Sequence, residues 1–165
     1  MRSLVSKGIV VMAGILASPL TPRPIIAEPP ISKYQNDPRL ARLTEFFYVR
    51  GCPIKSLARD FLIAADQNDL DWRLLPSISV VESGGGKAAR NNNVLGWGSA
   101  SSRFNSVREG IHAVAQRLSI SKLYKNKDLD GILRTYNTNA DYPSRVKQLM
   151  VALGPARPRL VLAIE

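Results

Sequence analysis

The amino-acid sequence predicts a mainly α-helical domain, and three observations carry that prediction. From residue 38 onward apolar side chains recur at intervals of three and four in one stretch after another, the spacing that gives a helix one buried face. Alternation with period two never runs long enough for a multistranded sheet, and no internal repeat occurs. The chain has 165 residues, which suits one domain with a hydrophobic core that needs neither disulfides nor a structural metal.

The elements follow in order. Residues 1–27 carry Arg2 and Lys7 ahead of an apolar run from Gly8 to Ala17, then small residues and prolines, the layout of a secretory signal peptide. The run is about ten residues, short of the ~20 that a membrane-spanning helix needs; a retained anchor is the alternative. Cleavage is expected after Ala17 or Ala27, no later segment reads as a membrane span, and residues 28–37 read as a linker. Removing Arg2, Lys7 and Arg23 lowers the net charge of +10 by three, to +7. A basic exported protein favours an anionic partner, cell-wall polymer or lipid headgroups before nucleic acid. No basic stripe with interleaved aromatics speaks for nucleic acid.

The domain is expected over 38–154. Leu40, Leu43 and Phe47 form one stripe, and Leu57, Phe61, Ala64 and Ala65 another. Between them "RGCPIK" reads as a turn, with Cys52 a buried structural thiol. One cysteine and one histidine, His112, exclude a Cys/His zinc site within one chain and any intrachain disulfide; no metal or cofactor is expected. Residues 72–81, "WRLLPSISVV", are apolar around most of a helical wheel, the mark of a central buried helix. Gly84 to Gly86 would end it and let another chain or a ligand come close. A short β-hairpin is possible within 84–105. Ser106 followed by Glu109 has the form of a capping box opening a helix through Val107, Ile111, Val114 and Leu118, on which His112 reads as structural. "DLDGILRTYN" and "DYPSRVKQLMVALG" give two more helices, the last stopped by Gly154 and Pro155. Residues 155–165 form a Pro/Arg-rich, then apolar, tail to which the sequence assigns no function.

Glu82 follows the buried run directly. A carboxylate at the end of a buried helix is disfavoured as an anion by poor solvation and by the negative end of the helix dipole, the condition for a general acid. An exposed glutamate decorating a helix end is the plain alternative. The loop "RNNNVLGWGS" then offers three amides in a row and Trp97 between two glycines, groups suited to sugar hydroxyls and a pyranose face, although Asn and Gly also simply favour turns.

From about Asp71 to Leu153 the pieces "LLPSISVVESGGG", "NNNVLGWG", "FNSVREGIHAVAQRL", "SKLYK" and "YNTNADYPSRVKQLM" resemble, in that order, the glucosaminidase domain of bacterial cell-wall hydrolases, the endo-β-N-acetylglucosaminidase-like class with a lysozyme-like fold. The resemblance implies a helical domain with a glycan cleft, Glu82 as catalytic acid and the Asn/Trp loop as groove wall. It also implies that Tyr136 and Asn137 face Glu82 across the cleft, Tyr136 sharing the catalytic work. The substrate-contacting set expected around them is Ser83, Asn92, Asn93, Trp97, Asn137 and Tyr142. The rings of Tyr136 and Tyr142 also fall on core stripes, so packing is the alternative for both.

Most glycosidases flank the scissile bond with two carboxylates. The segment from Gly84 to Arg108 contains no Asp or Glu, and Asp128, Asp130 and Asp141 each sit at or near an expected helix start, where capping explains them. A single acid would then rely on the substrate's N-acetyl oxygen or its 6-hydroxyl. The reading is an exported monomer of the periplasm or cell envelope that cleaves β-1,4 bonds next to N-acetylglucosamine in peptidoglycan glycan strands. The alternatives are a lytic transglycosylase forming anhydromuramyl ends and a non-catalytic peptidoglycan-binding module.

Overall fold

A computed structural model describes residues 32–156. The expected leader, residues 28–31 of the expected linker and residues 157–165 of the tail lie outside the described residues. The helices are α1 (Ser32–Gln35), α2 (Pro38–Val49), α3 (Ala58–Gln67), α4 (Leu74–Ser83), α5 (Val107–Ile120), α6 (Leu129–Tyr136) and α7 (Tyr142–Leu153), with a 3₁₀ turn, Pro53–Leu57, between α2 and α3. The mainly helical class is therefore what the chain adopts. No strand occurs among the described residues, and the hairpin considered within 84–105 reduces to one antiparallel bridge between Arg90 and Asn93. Asn91 and Asn92 both take left-handed backbone conformations there (φ 55° and 57°), which turn the chain at once and leave no run of extended residues to pair.

From α2 onward the helices turn their apolar stripes to the core. Leu43 and Phe47 of α2 are buried, and the Phe47 ring meets that of Phe61 in α3 at 5.3 Å. α3 packs on α2 and α5, and α4 packs on α7. Leu75 and Ile78 of α4, Ile111 and Val114 of α5 and Val146 of α7 are fully buried, each contributing roughly 1.5–3 kcal/mol by leaving water. Ser106 caps α5 by accepting the Glu109 amide at 3.1 Å. The return bond of the capping box lands one residue early, on the Asn105 amide at 2.8 Å, so Glu109 has the structural task expected of it.

The expected linker behaves differently from a spacer where it is described. Tyr34 of α1 is fully buried and donates to Asp66 at 3.2 Å, and Arg39 bridges Asp37 (2.6 Å) and Asp66 (2.7 Å). The packed body thus begins before residue 38, because one buried aromatic ring anchors a segment whose polar flanks read as a spacer. No helix among the described residues is long and apolar enough to cross a membrane.

The two ends of the α4/α7 pair are tied by Arg73, which holds Asp71 at 2.6 Å and donates to the Gly154 carbonyl at 2.8 Å, while the Trp72 indole N–H reaches the Ala156 carbonyl at 3.0 Å. Burial pushes the Asp71 carboxyl up, but the hydrogen bonds and charge of Arg73 outweigh it and hold the carboxyl below its usual range. Its folded value is lower than its unfolded one, so the pair stabilises the fold above about pH 4 and that contribution is lost as pH falls further. Asp71→Asn is expected to lower stability at pH 7 by roughly 0.5–1 kcal/mol, the pair being partly solvated. Urea unfolding checks it: the variant's midpoint should fall less than the native one between pH 7 and pH 3.

Candidate active site

The site is built from the end of α4. Gly84 adopts the left-handed conformation (φ 62°, ψ 34°), its amide bonding to the Val80 carbonyl and that of Gly85 to Ser79, both at 3.0 Å, a helix end that few other residues form cheaply. Glu82 is the next-to-last helical residue, and its half-buried side chain turns outward from the core. Ser83 turns the other way. Its hydroxyl is buried 2.7 Å from the Val94 carbonyl and accepts the Gly86 amide at 2.9 Å, so it ties the following loop to α4 and does not line the cleft.

The glycines were expected to let another stretch of chain or a ligand come close, and at two of them it is protein that does. A Cβ on Gly85 would lie 2.7 Å from the Cβ of Cys52, and one on Gly86 would lie 2.9 Å from Ile54. The exit of α4 therefore packs directly on the turn after α2. Cys52 is buried there, and burial pushes its thiol up, in keeping with a structural role.

The glycine that shapes the site comes later. Gly96 has φ 68°, and a Cβ on it would lie 2.9 Å from the Glu82 carboxyl carbon. The loop backbone thus runs against the carboxylate. Around this contact opens a cleft of about 650 Å³, lined by Glu82, the loop from Gly96 to Ala100, Tyr124, and Tyr136 to Thr138. Trp97 forms an aromatic wall, its ring 5.8 Å from Tyr124 and 5.7 Å from Tyr136.

Tyr136 donates its hydroxyl to the Leu95 carbonyl at 2.5 Å, so α6 clamps the loop that carries Gly96 and Trp97. Burial, then the negative charge of Glu82, pushes the Tyr136 hydroxyl well up. Tyr142 stacks beneath it, ring centroids 6.1 Å apart and planes 7° from parallel. Its side chain is 1% exposed, which removes it from direct contact with a ligand. The Tyr142 hydroxyl completes no well-formed hydrogen bond; the Glu82 carboxylate is the acceptor close to it, and burial with the charge of Glu82 pushes its ionisation far above the ordinary range. A neutral hydroxyl beside a carboxylate can orient it. With Glu82 as the acid that the sequence reading expects, Tyr142→Phe is expected to cost about tenfold in kcat with KM nearly unchanged, since only the orientation of Glu82 is loosened. A rise in KM with steady kcat would instead place Tyr142 on the substrate.

Of the residues named from sequence, Glu82, Trp97, Tyr136 and Asn137 meet in the cleft, and Tyr142 lies beneath it. Asn137, at the end of α6, accepts the Asn139 amide at 3.0 Å while lining the cavity. Asn92 and Asn93 stand apart. The Asn92 amide donates to the Phe104 carbonyl at 2.9 Å. Buried Asn93 donates to the carbonyls of Trp97 (2.9 Å) and Ser102 (3.1 Å) and accepts the Trp97 amide at 2.9 Å. These amides hold the loop's own shape, as a loop without strand pairing requires. Tyr124, Ser99, Ala100 and Thr138 join the lining without having been assigned a role. Tyr124 sat in the motif "SKLYK", whereas Ser99 and Ala100 reach the cleft through left-handed conformations (φ 55° and 62°) that no residue pattern announces.

Among the described residues no second carboxylate lines the cleft. Asp128 caps α6 through the Gly131 amide at 2.8 Å, Asp130 pairs with Lys147 at 2.8 Å, and Asp141 is exposed at the start of α7. Among the described residues no three His, Cys, Asp or Glu side chains gather closely enough to share a metal ion. Comparison of the chain with family models, curated proteins and solved structures finds no match.

Proposed function

We propose that this protein is an exported, lysozyme-like glycoside hydrolase that cleaves β-1,4 bonds next to N-acetylglucosamine in peptidoglycan, with Glu82 as general acid and then base. The observation that carries the reading is a lone carboxylate in a cleft of about 650 Å³ walled by Trp97, Tyr124 and Tyr136. Aromatic faces suit the apolar faces of pyranose rings, and a partly buried acid suits proton transfer to a leaving oxygen. Glu82 would protonate the glycosidic oxygen as its bond to C1 breaks. The substrate's acetamido oxygen would bond to C1, and Glu82 would then take a proton from the water that reopens that ring. Tyr142 would orient the carboxylate, and the Tyr136 hydroxyl, engaged with Leu95, would keep the loop and Trp97 in place.

The lack of a second carboxylate in the lining supports a second reading, in which the 6-hydroxyl of the sugar attacks C1 and Glu82 takes its proton, leaving an anhydro ring. Mass spectrometry of products from purified sacculi separates the outcomes. Reducing N-acetylglucosamine ends are expected; anhydromuramyl ends would move the protein to the lytic route. Release of no soluble fragment, with binding retained, would make it a peptidoglycan-binding module.

A further inference from the structure

Arg117 lies in the last turn of α5, with its guanidinium 5.5 Å from the centroid of the Trp97 ring. It is exposed, and no carboxylate of the described residues pairs with it. Other arginines held against neighbouring groups serve the fold: Arg39 joins α2 to α3 through Asp66, Arg73 reaches the Gly154 carbonyl, Arg108 joins α5 to α3 through Asp60 at 2.7 Å, and Arg50 folds back over the Phe46 ring of α2. Among the described residues the cleft lining contains no cation and one anion, Glu82. An anionic sugar entering beside Glu82 would meet like charge there, and would find compensation only from a cation at the rim.

A cation–π contact with an indole ring restrains a guanidinium without using up its N–H groups, and a guanidinium with free N–H groups can take a carboxylate through two parallel hydrogen bonds. We propose that Arg117 is a specificity-determining residue that binds a carboxylate carried by the sugar unit lying along Trp97. In an N-acetylhexosamine polymer, the group of that kind is the lactyl ether of N-acetylmuramic acid. Arg117 would thereby separate muramic-acid glycan from the neutral homopolymer of N-acetylglucosamine, which presents the same ring faces and acetamido groups. The proposal rests on reading the cleft as a glycan site.

The test measures binding in a Glu82→Gln background, so that it does not depend on turnover. It compares a peptide-free alternating N-acetylglucosamine/N-acetylmuramic acid oligomer, the same oligomer with its carboxylates methyl-esterified, and a chito-oligosaccharide of equal length. Adding Arg117→Ala is expected to weaken binding of the acidic oligomer by roughly three- to tenfold and to leave the chito-oligosaccharide unchanged. Without that change, esterification alone should weaken binding by a similar factor. Arg117→Lys should recover only part of the loss, a point charge lacking the two-pronged geometry. Equal loss on acidic and neutral oligomers would reduce Arg117 to a brace for Trp97 and overturn the proposal, as would loss on neither. Binding of no oligomer by the otherwise native fold would overturn the glycan reading itself, and this proposal with it.

Discussion

Glu82→Gln is expected to reduce release of soluble fragments from sacculi by about 10²–10⁴, the range attributed to a positioned general acid, while affinity for the insoluble wall stays within about twofold. The substitution keeps the size and planarity of the side chain, replaces one acceptor oxygen by an N–H donor, and removes the acidic proton and the charge. Two features make the separation sharp. Among the described residues no other Asp or Glu lines the cleft to take over the proton, and the contacts expected to hold a glycan, chiefly the Trp97 wall, do not pass through Glu82. Folding should be unaffected, because the side chain is half-buried at a helix end and is outside the buried core. Thermal unfolding and wall pull-down of native and variant protein provide the controls. Activity of the Gln variant within tenfold of native would remove Glu82 from the chemistry.

Gly96→Ala is expected to have the second-largest effect, and it tests the geometry from the opposite side. The backbone at Gly96 is left-handed (φ 68°), which costs a residue with a Cβ roughly 1–2 kcal/mol. Its Cβ would sit 2.9 Å from the carboxyl carbon of Glu82, closer than carbon atoms approach without repulsion, so either the loop or the carboxylate must move. Loop movement would strain the bond from the Tyr136 hydroxyl to the Leu95 carbonyl and shift Trp97; carboxylate movement would take Glu82 away from the Tyr142 hydroxyl. Either displacement approaches 1 Å, enough to cost about 10² in rate. The expected result is a drop of that size in kcat/KM with the fold intact and stability lowered by about 1–3 kcal/mol. A variant with near-native activity would show that the loop does not press on the acid. Ala at Gly85 offers a contrast: its Cβ would meet Cys52, and it should damage stability with little selective effect on activity.

The helical architecture was legible because each helix carries its own spacing and its own ends. The Ser106/Glu109 start of α5, the Gly84 cap of α4 and the Gly154 stop of α7 are local chemistry, independent of where the rest of the chain lies. Glu82 was legible for the same reason: an acid directly after a wholly apolar helical run stands out in one dimension. The loop from 90 to 105 was not legible at the level of single side chains. Asparagine suits both a sugar hydroxyl and a strained turn, and residue type alone does not reveal which; Asn93 spends both its donors and one acceptor site within its own loop and is buried away from any ligand. Tyr34 was hidden likewise, since one aromatic among polar residues has no periodicity to expose its burial.

The helical class, the order of helices α2 to α7 and the placement of one acid at the end of a buried helix are readable from the chain alone. These follow from forces that act between residues a few positions apart. Which groups surround that acid was decided by tertiary structure alone. Gly96 against the carboxylate, Tyr142 buried beside it, Tyr136 clamped to Leu95 and Arg117 set over Trp97 join residues 14, 60, 41 and 20 positions apart. No local preference selects such pairs; the packing of α4, α5, α6 and α7 around a shared core does, because only when those helices close on one another do these side chains come within reach.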